Sequence, residues 1–209
     1  MVLPARPEVG KESYLSKTEG IAGKLREIPE DFVVNEIIEN KHRAHWAWAQ
    51  PSDNGRHCIV KITANNWDTH ILVKEISKRL GIGQKAISFA GTKDKRALTT
   101  QYFSIMSSPK KIENVDLKNV SMEFLHKSVK PVRLGNLVGN EFKIRISQSK
   151  STERTISAIL EDLKGGFPNY FGIQRFGAVR PITHIVGKKI VQDKYEEAVW
   201  DYLCGGEYE

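Results

Sequence analysis

The chain of 209 residues has only two cysteines, Cys58 and Cys204, far apart in sequence. Two distant thiols exclude a disulfide framework and a thiolate metal site, and they fit a reducing compartment. No apolar run approaches the ~20 residues needed to span a bilayer, and no signal peptide opens the chain. A cytoplasmic protein with no membrane partner is the expectation. There is no Gly-x-x-x-x-Gly-Lys-Ser/Thr loop to cradle nucleotide phosphates. Lys93 and Asp94 share residue types with a guanine-reading Thr-Lys-x-Asp motif, but here the acid follows the lysine directly and the spacing fails. Internal repeats and low-complexity tracts are absent.

Acid is in the minority. Against 25 Asp and Glu stand 32 Lys and Arg, giving a net charge of +7. That balance favours a polyanionic partner, RNA or DNA, over an acidic substrate. A hydrophobic content of 40% supports a packed core.

Residues 1 to about 20 are polar and broken by Pro4, Pro7, Gly10 and Gly20, and they read as a loosely attached lead-in. Strand patterns follow at Phe32–Ile38, Cys58–Ile62, Met122–Leu125 and Phe142–Ile146. Between the first two lies a basic, aromatic stretch from Lys41 to Gln50, with Trp46 and Trp48, closed by a turn signal at Pro51–Gly55. Asp68 or Thr69 can cap a helix that aligns Leu72, Val73, Ile76 and Leu80 and stops at Gly81. Ser151 or Thr152 can cap a second helix, with Ile156, Ile159, Leu160 and Leu163 spaced to face a core. A third helix is predicted over Asp193–Leu203. Strands and helices mix without strict alternation, so the predicted class is α+β, with a mixed, mainly antiparallel sheet and flanking helices.

The most informative segment is Phe89-Ala90-Gly91-Thr92-Lys93-Asp94-Lys95-Arg96-Ala97-Leu98. A strand signal through Ala86, Ile87 and Phe89 stops at Gly91, and another, Leu98–Ile105, follows the loop. Locally this composition also describes a solvated hairpin turn. Yet the lone carboxylate Asp94 sits among Lys93, Lys95 and Arg96, where nucleic acid would bind and where an anion cannot help binding. The mismatch points to chemistry on RNA with Asp94 as nucleophile. A nearby cation would hold that carboxylate ionised. Arg26, within Lys24-Leu25-Arg26, suits the role as a permanently charged fork, with Lys24 as the alternative. Gly135 and Gly139 flank a stretch that ends at Asn140-Glu141-Phe142, where Phe142 is either a core residue or a ring that stacks on an extruded base. The segment Gly166–Gly177 places Phe167, Tyr170, Phe171 and Phe176 beside Asn169, Gln174 and Arg175. Aromatics interleaved with arginine are what recognition of unpaired RNA asks for.

Together these segments resemble the TruD family of tRNA pseudouridine synthases. The signature Gly-x-Lys-Asp-x-x-Ala-x-Thr-x-Gln is met by Gly91, Lys93, Asp94, Ala97, Thr99 and Gln101. Asn-Tyr-Phe-Gly-x-Gln-Arg-Phe-Gly is met by Asn169, Tyr170, Phe171, Gly172, Gln174, Arg175, Phe176 and Gly177. Pro29–Val34 and the group Gly139, Asn140 and Phe142 supply two further motifs, and the resemblance covers about residues 20 to 190. It implies a pseudouridine synthase-like catalytic fold acting on tRNA with no metal or organic cofactor. It makes Asp94 the catalytic aspartate, supported by Arg26, Lys93 and Asn140. Phe142 would stack on the target uracil, and Asn169–Gly177 would wall the site. Residues 1–184 would be the first part of the catalytic domain and 185–209 the start of an inserted domain, with a missing C-terminal half as a partner. An RNA-binding module without catalysis and a piece of a split enzyme are the competing expectations.

Overall fold

The computed structural model describes residues 15–38, 49–168, 176–177 and 180–204. The lead-in before residue 15, the Trp46 and Trp48 stretch, and Asn169–Arg175 lie outside the described residues. The chain divides into two compact units, one of Ala22–Lys150 and the other of Met1–Ile21 with Ser151–Glu209.

The first unit is built on a mixed sheet. Its strands are β2 (Phe32–Ile37), β3 (His57–Asn65), β4 (Ile87–Phe89), β5 (Leu98–Ile105), β6 (Val120–Ser128) and β7 (Gly139–Ile144). They run in the order β6-β3-β5-β2-β7. Every pairing is antiparallel except β2 with β5. The expected α+β class with a mainly antiparallel sheet is what the structure has. Two further strands, β1 (Lys24–Leu25) and β8 (Ile146–Ser147), form a separate antiparallel pair. At two residues each they carry no readable period, and the sequence gives no sign of them.

Alternation along the strands puts Val60, Ile62, Phe103 and Ile105 on one face, and helix α1 (Thr69–Leu80) covers it with Leu72, Val73, Ile76 and Leu80. The helix begins where Asp68 accepts the free N–H groups of His70 and Ile71, and ends at Gly81 in the left-handed region, φ 66°. Asp68→Ala is expected to lower stability by about 1 kcal/mol, read as a fall in Tm without loss of helical content. A short helix α2 (Pro109–Glu113) adds Ile112 to the same core.

One detail of the sheet positions the site. β2 pairs with β5 along Leu98–Thr100, and β4 pairs with the same edge along Phe103–Ile105. Gln101 and Tyr102 fall at the changeover between these neighbours. There the chain leaves β4 and makes the loop that carries Asp94.

The second unit holds α3 (Glu153–Asp162), α4 (Thr183–Val191) and α5 (Tyr195–Cys204). Thr152 caps α3 by accepting the Thr155 N–H. The apolar stripe of α3 forms as expected but is not buried, since Ile156 and Leu160 are exposed. The lead-in is tied down at its described end, where the Ser16 and Thr18 hydroxyls donate to the Asp162 carboxylate and hold its pKa low. The sequence misses α4, whose apolar pattern is interrupted by Gly187-Lys188-Lys189. A boundary at residue 185 falls inside the first turn of α4, and the helical pair itself starts at Thr183. No helix of the described residues is long and apolar enough to cross a membrane.

Candidate active site

The site is assembled inside the Ala22–Lys150 unit by four pieces of chain: the segment after β1, the start of β2, the Asp94 loop and β7. Asp94 is about half exposed, and among the described residues a single side chain pairs with it. Both terminal nitrogens of Arg26 lie 3.4 Å from its Oδ1. The guanidinium carbon of Arg26 also sits 3.7 Å from the centre of the Phe32 ring, a cation–π contact that fixes its plane. Phe32 in turn meets Phe142 edge to face, with ring centres 5.9 Å apart. A continuous row therefore runs from Asp94 through Arg26 and Phe32 to Phe142. Arg26 holds a backbone φ of 56°, unusual for a residue with a side chain, and its neighbours must keep it there.

Those neighbours are visible. Arg96, from the Asp94 loop, donates to the Glu27 carbonyl at 2.9 Å. The Glu27 carboxylate accepts from the Ser147 hydroxyl and from the Gln148 amide, and Lys24 stands 3.6 Å away. Lys24 is thus committed to Glu27, and of the two cations offered by the sequence only Arg26 reaches Asp94. At the entry to β2, Asp31 accepts the Ile28 N–H and pairs with Arg145 at 2.6 Å, which turns the chain from Arg26 into Phe32.

Lys93 departs from the expectation that it supports Asp94 directly. Its ammonium pairs with Glu36 at 2.7 Å, and both side chains are nearly inaccessible, at 5% and 0%. The reason is alternation. Phe32, Val34 and Glu36 share the inward parity of β2, so Glu36 enters the protein beside the loop and needs a buried cation. Burial pushes the Glu36 carboxyl above its usual range, while the Lys93 ammonium and the Tyr102 N–H pull against that shift. An acid at the inward parity of an apolar strand is the sequence signal that could have revealed this pair.

Asn140 lies opposite Glu36 in the β2–β7 register, and Phe142 opposite Val34, so both share the face on which the Asp94 loop lies. Asn140 makes no hydrogen bond to that loop among the described residues. Phe142 is 53% exposed. Phe176, from the second unit, meets His184 edge to face at 5.4 Å. Asn169, Tyr170, Phe171, Gly172, Gln174 and Arg175 lie outside the described residues. No group of three or more His, Cys, Asp or Glu among the described residues could hold a metal ion.

Comparisons with known proteins agree with one another. Residues 8–208 match the model of the family described as tRNA pseudouridine synthase D (TruD). A relative from Archaeoglobus fulgidus, named "Probable tRNA pseudouridine synthase D", is 45% identical over 198 residues, covering 94% of this chain and 46% of the relative. One of the same name from Pyrococcus abyssi is 44% identical over 193 residues, covering 91% of this chain and 45% of its own length. A crystal structure of a TruD protein from Methanosarcina mazei superposes with a TM-score of 0.77 at 41% identity, covering 91% of this chain and 43% of that one. The chain spans somewhat less than half the length of the relatives it matches.

Proposed function

Because this chain belongs to the tRNA pseudouridine synthase D family, we propose that it forms the nucleophile-bearing part of an enzyme that converts a uridine of tRNA to pseudouridine. The observation that carries the reading is the exposed Asp94 carboxylate held by Arg26, with an available aromatic ring two side chains away. An enzyme that works on a base must take it out of the stack. Asp94 then attacks, at ribose C1′ or at uracil C6. The glycosidic bond breaks, the uracil turns, and C5 bonds to C1′; the bond to Asp94 then breaks, displaced at C1′ or eliminated from C6, which frees the carboxylate, and the C5 proton leaves to a base. Arg26 holds the Asp94 carboxylate in place and aims it. Phe142 stacks on the uracil, and Asn140 contacts the nucleotide or the loop. In this reading residues 1–184 belong to the catalytic domain and 185–209 open an inserted domain. The partners are tRNA and a C-terminal half like the remainder of the longer relatives, and the location is the cytoplasm.

The test is release of tritium from C5-labelled uridine in tRNA transcripts, measured with this chain alone and with the C-terminal half of a relative added. Release in either case supports the reading. Tight tRNA binding without release in both cases would turn it toward a binding module. Within an active enzyme, Phe142→Ala is expected to weaken productive binding of the target by about 1–3 kcal/mol, seen as a higher KM together with a lower kcat. Unchanged kinetics would remove Phe142 from the stacking role.

A further inference from the structure

Glu36 and Lys93 form the one ion pair among the described residues in which both side chains are almost wholly buried. A charge pair out of water is costly to assemble and rarely the cheapest way to gain stability. Its position suggests another use. Between Ala90 and Ala97 the loop has no buried apolar side chain, and Thr92, Asp94, Lys95 and Arg96 are all exposed. Polar contacts must therefore hold it. The Gly91 carbonyl accepts from the Gln101 amide at 2.7 Å. The Lys93 N–H donates to the Thr69 hydroxyl at 3.1 Å, and that hydroxyl donates to the Gln101 Oε1 at 3.3 Å. The Lys93 ammonium reaches Glu36 Oε2, while Glu36 Oε1 accepts the Tyr102 N–H at 3.3 Å. The residue directly before Asp94 is thus pinned at its backbone onto Thr69, the first residue of α1, and at its side-chain tip onto Glu36 of β2.

We propose that Glu36 is a positioning residue: through Lys93 it holds the Asp94 loop in its reactive place, and the Lys93 charge serves Glu36 rather than the substrate. Glu36 itself is not offered to a ligand, since its side chain is inaccessible and both oxygens are occupied. The inference rests on the reading of Asp94 as the nucleophile.

Four proteins test it: wild type, Glu36→Gln, Lys93→Met, and the double variant. Amide hydrogen exchange over residues 90–97 is read in each, which needs no turnover, and kcat and KM for tritium release are read in whichever form of the enzyme is active. Each single variant leaves a buried charge unpaired, so exchange in the loop is expected to rise at least about tenfold and kcat to fall at least about tenfold. KM for tRNA should stay within about threefold. The double variant buries no lone charge and should regain most of both losses, a coupling that two independent sites would not show. Loop exchange and kcat at wild-type values in the single variants would overturn the proposal. So would a double variant with a protected loop that is as inactive as Lys93→Met, because the Lys93 charge would then act in the reaction itself. If the single variants fail to fold by circular dichroism, the folded double variant decides by the same criteria. Asp94→Asn separates the two readings: it should keep wild-type exchange over 90–97, and tritium release by that variant would refute the nucleophile without touching the loop argument.

Discussion

Asp94→Asn is expected to abolish tritium release while leaving tRNA affinity within a few-fold of wild type. The substitution keeps size and shape and keeps an oxygen that can accept from Arg26, so the contact at 3.4 Å has a partner in both proteins. What it removes is the anionic oxygen, and an amide in its place cannot form the covalent intermediate. A loss of at least about three orders of magnitude in kcat follows if Asp94 is the nucleophile. Binding should not suffer. RNA affinity comes from neutralising phosphates, and an anion beside the exposed Lys95 and Arg96 opposes that. A small gain in affinity is therefore consistent with the argument, whereas a large loss would assign Asp94 a role in holding the loop. Turnover that survives the substitution would remove the nucleophile assignment.

What the sequence made legible follows from how local each feature is. The core helix was readable because its cap, its stripe and its stop, Asp68, Leu72–Leu80 and Gly81, all lie within fourteen consecutive residues. The Asp94 loop was readable for the same reason, as a glycine break and a lone acid between two strand patterns. The partners of that loop are far away along the chain. Glu36 lies 57 residues before Lys93, and Arg26 lies 68 before Asp94. Charged residues usually face water, so a sequence gives Lys93 and Glu36 no reason to meet until the β2–β5 pairing places them together. The one clue the sequence carries went unused: alternation along Phe32-Val33-Val34-Asn35-Glu36 gives Glu36 the same parity as Val34. The α3 stripe shows the opposite limit. Ile156, Ile159, Leu160 and Leu163 announce an amphipathic helix, but periodicity cannot say whether a chain of this length supplies the surface that covers it.

Arg26→Ala is expected to lower kcat about 100-fold while Tm moves little. The two effects separate because they draw on different states. In the resting protein Arg26 is about one-third exposed and Asp94 about half exposed, so their ion pair is screened by water and contributes at most about 1 kcal/mol to stability. The stack on Phe32 adds a further ~0.5–1 kcal/mol. When the target base and its ribose cover the site, water leaves, and the same guanidinium acts in a lower dielectric on a carboxylate whose charge is changing. A preorganised donor of that kind is worth several kcal/mol, and about 2.7 kcal/mol corresponds to the 100-fold loss. Arg26→Lys tests which property matters. Lysine keeps the positive charge but not the planar fork that lies on the Phe32 ring while reaching Asp94. It should recover part of the rate and remain about tenfold below wild type. Both variants carry the same backbone demand at φ 56°, since each still has a Cβ, so strain at that position does not distinguish them. Wild-type kcat in Arg26→Ala would show that Asp94 needs no cation. Full activity in Arg26→Lys would show that charge alone suffices and that the row through Phe32 to Phe142 has no part in aiming it.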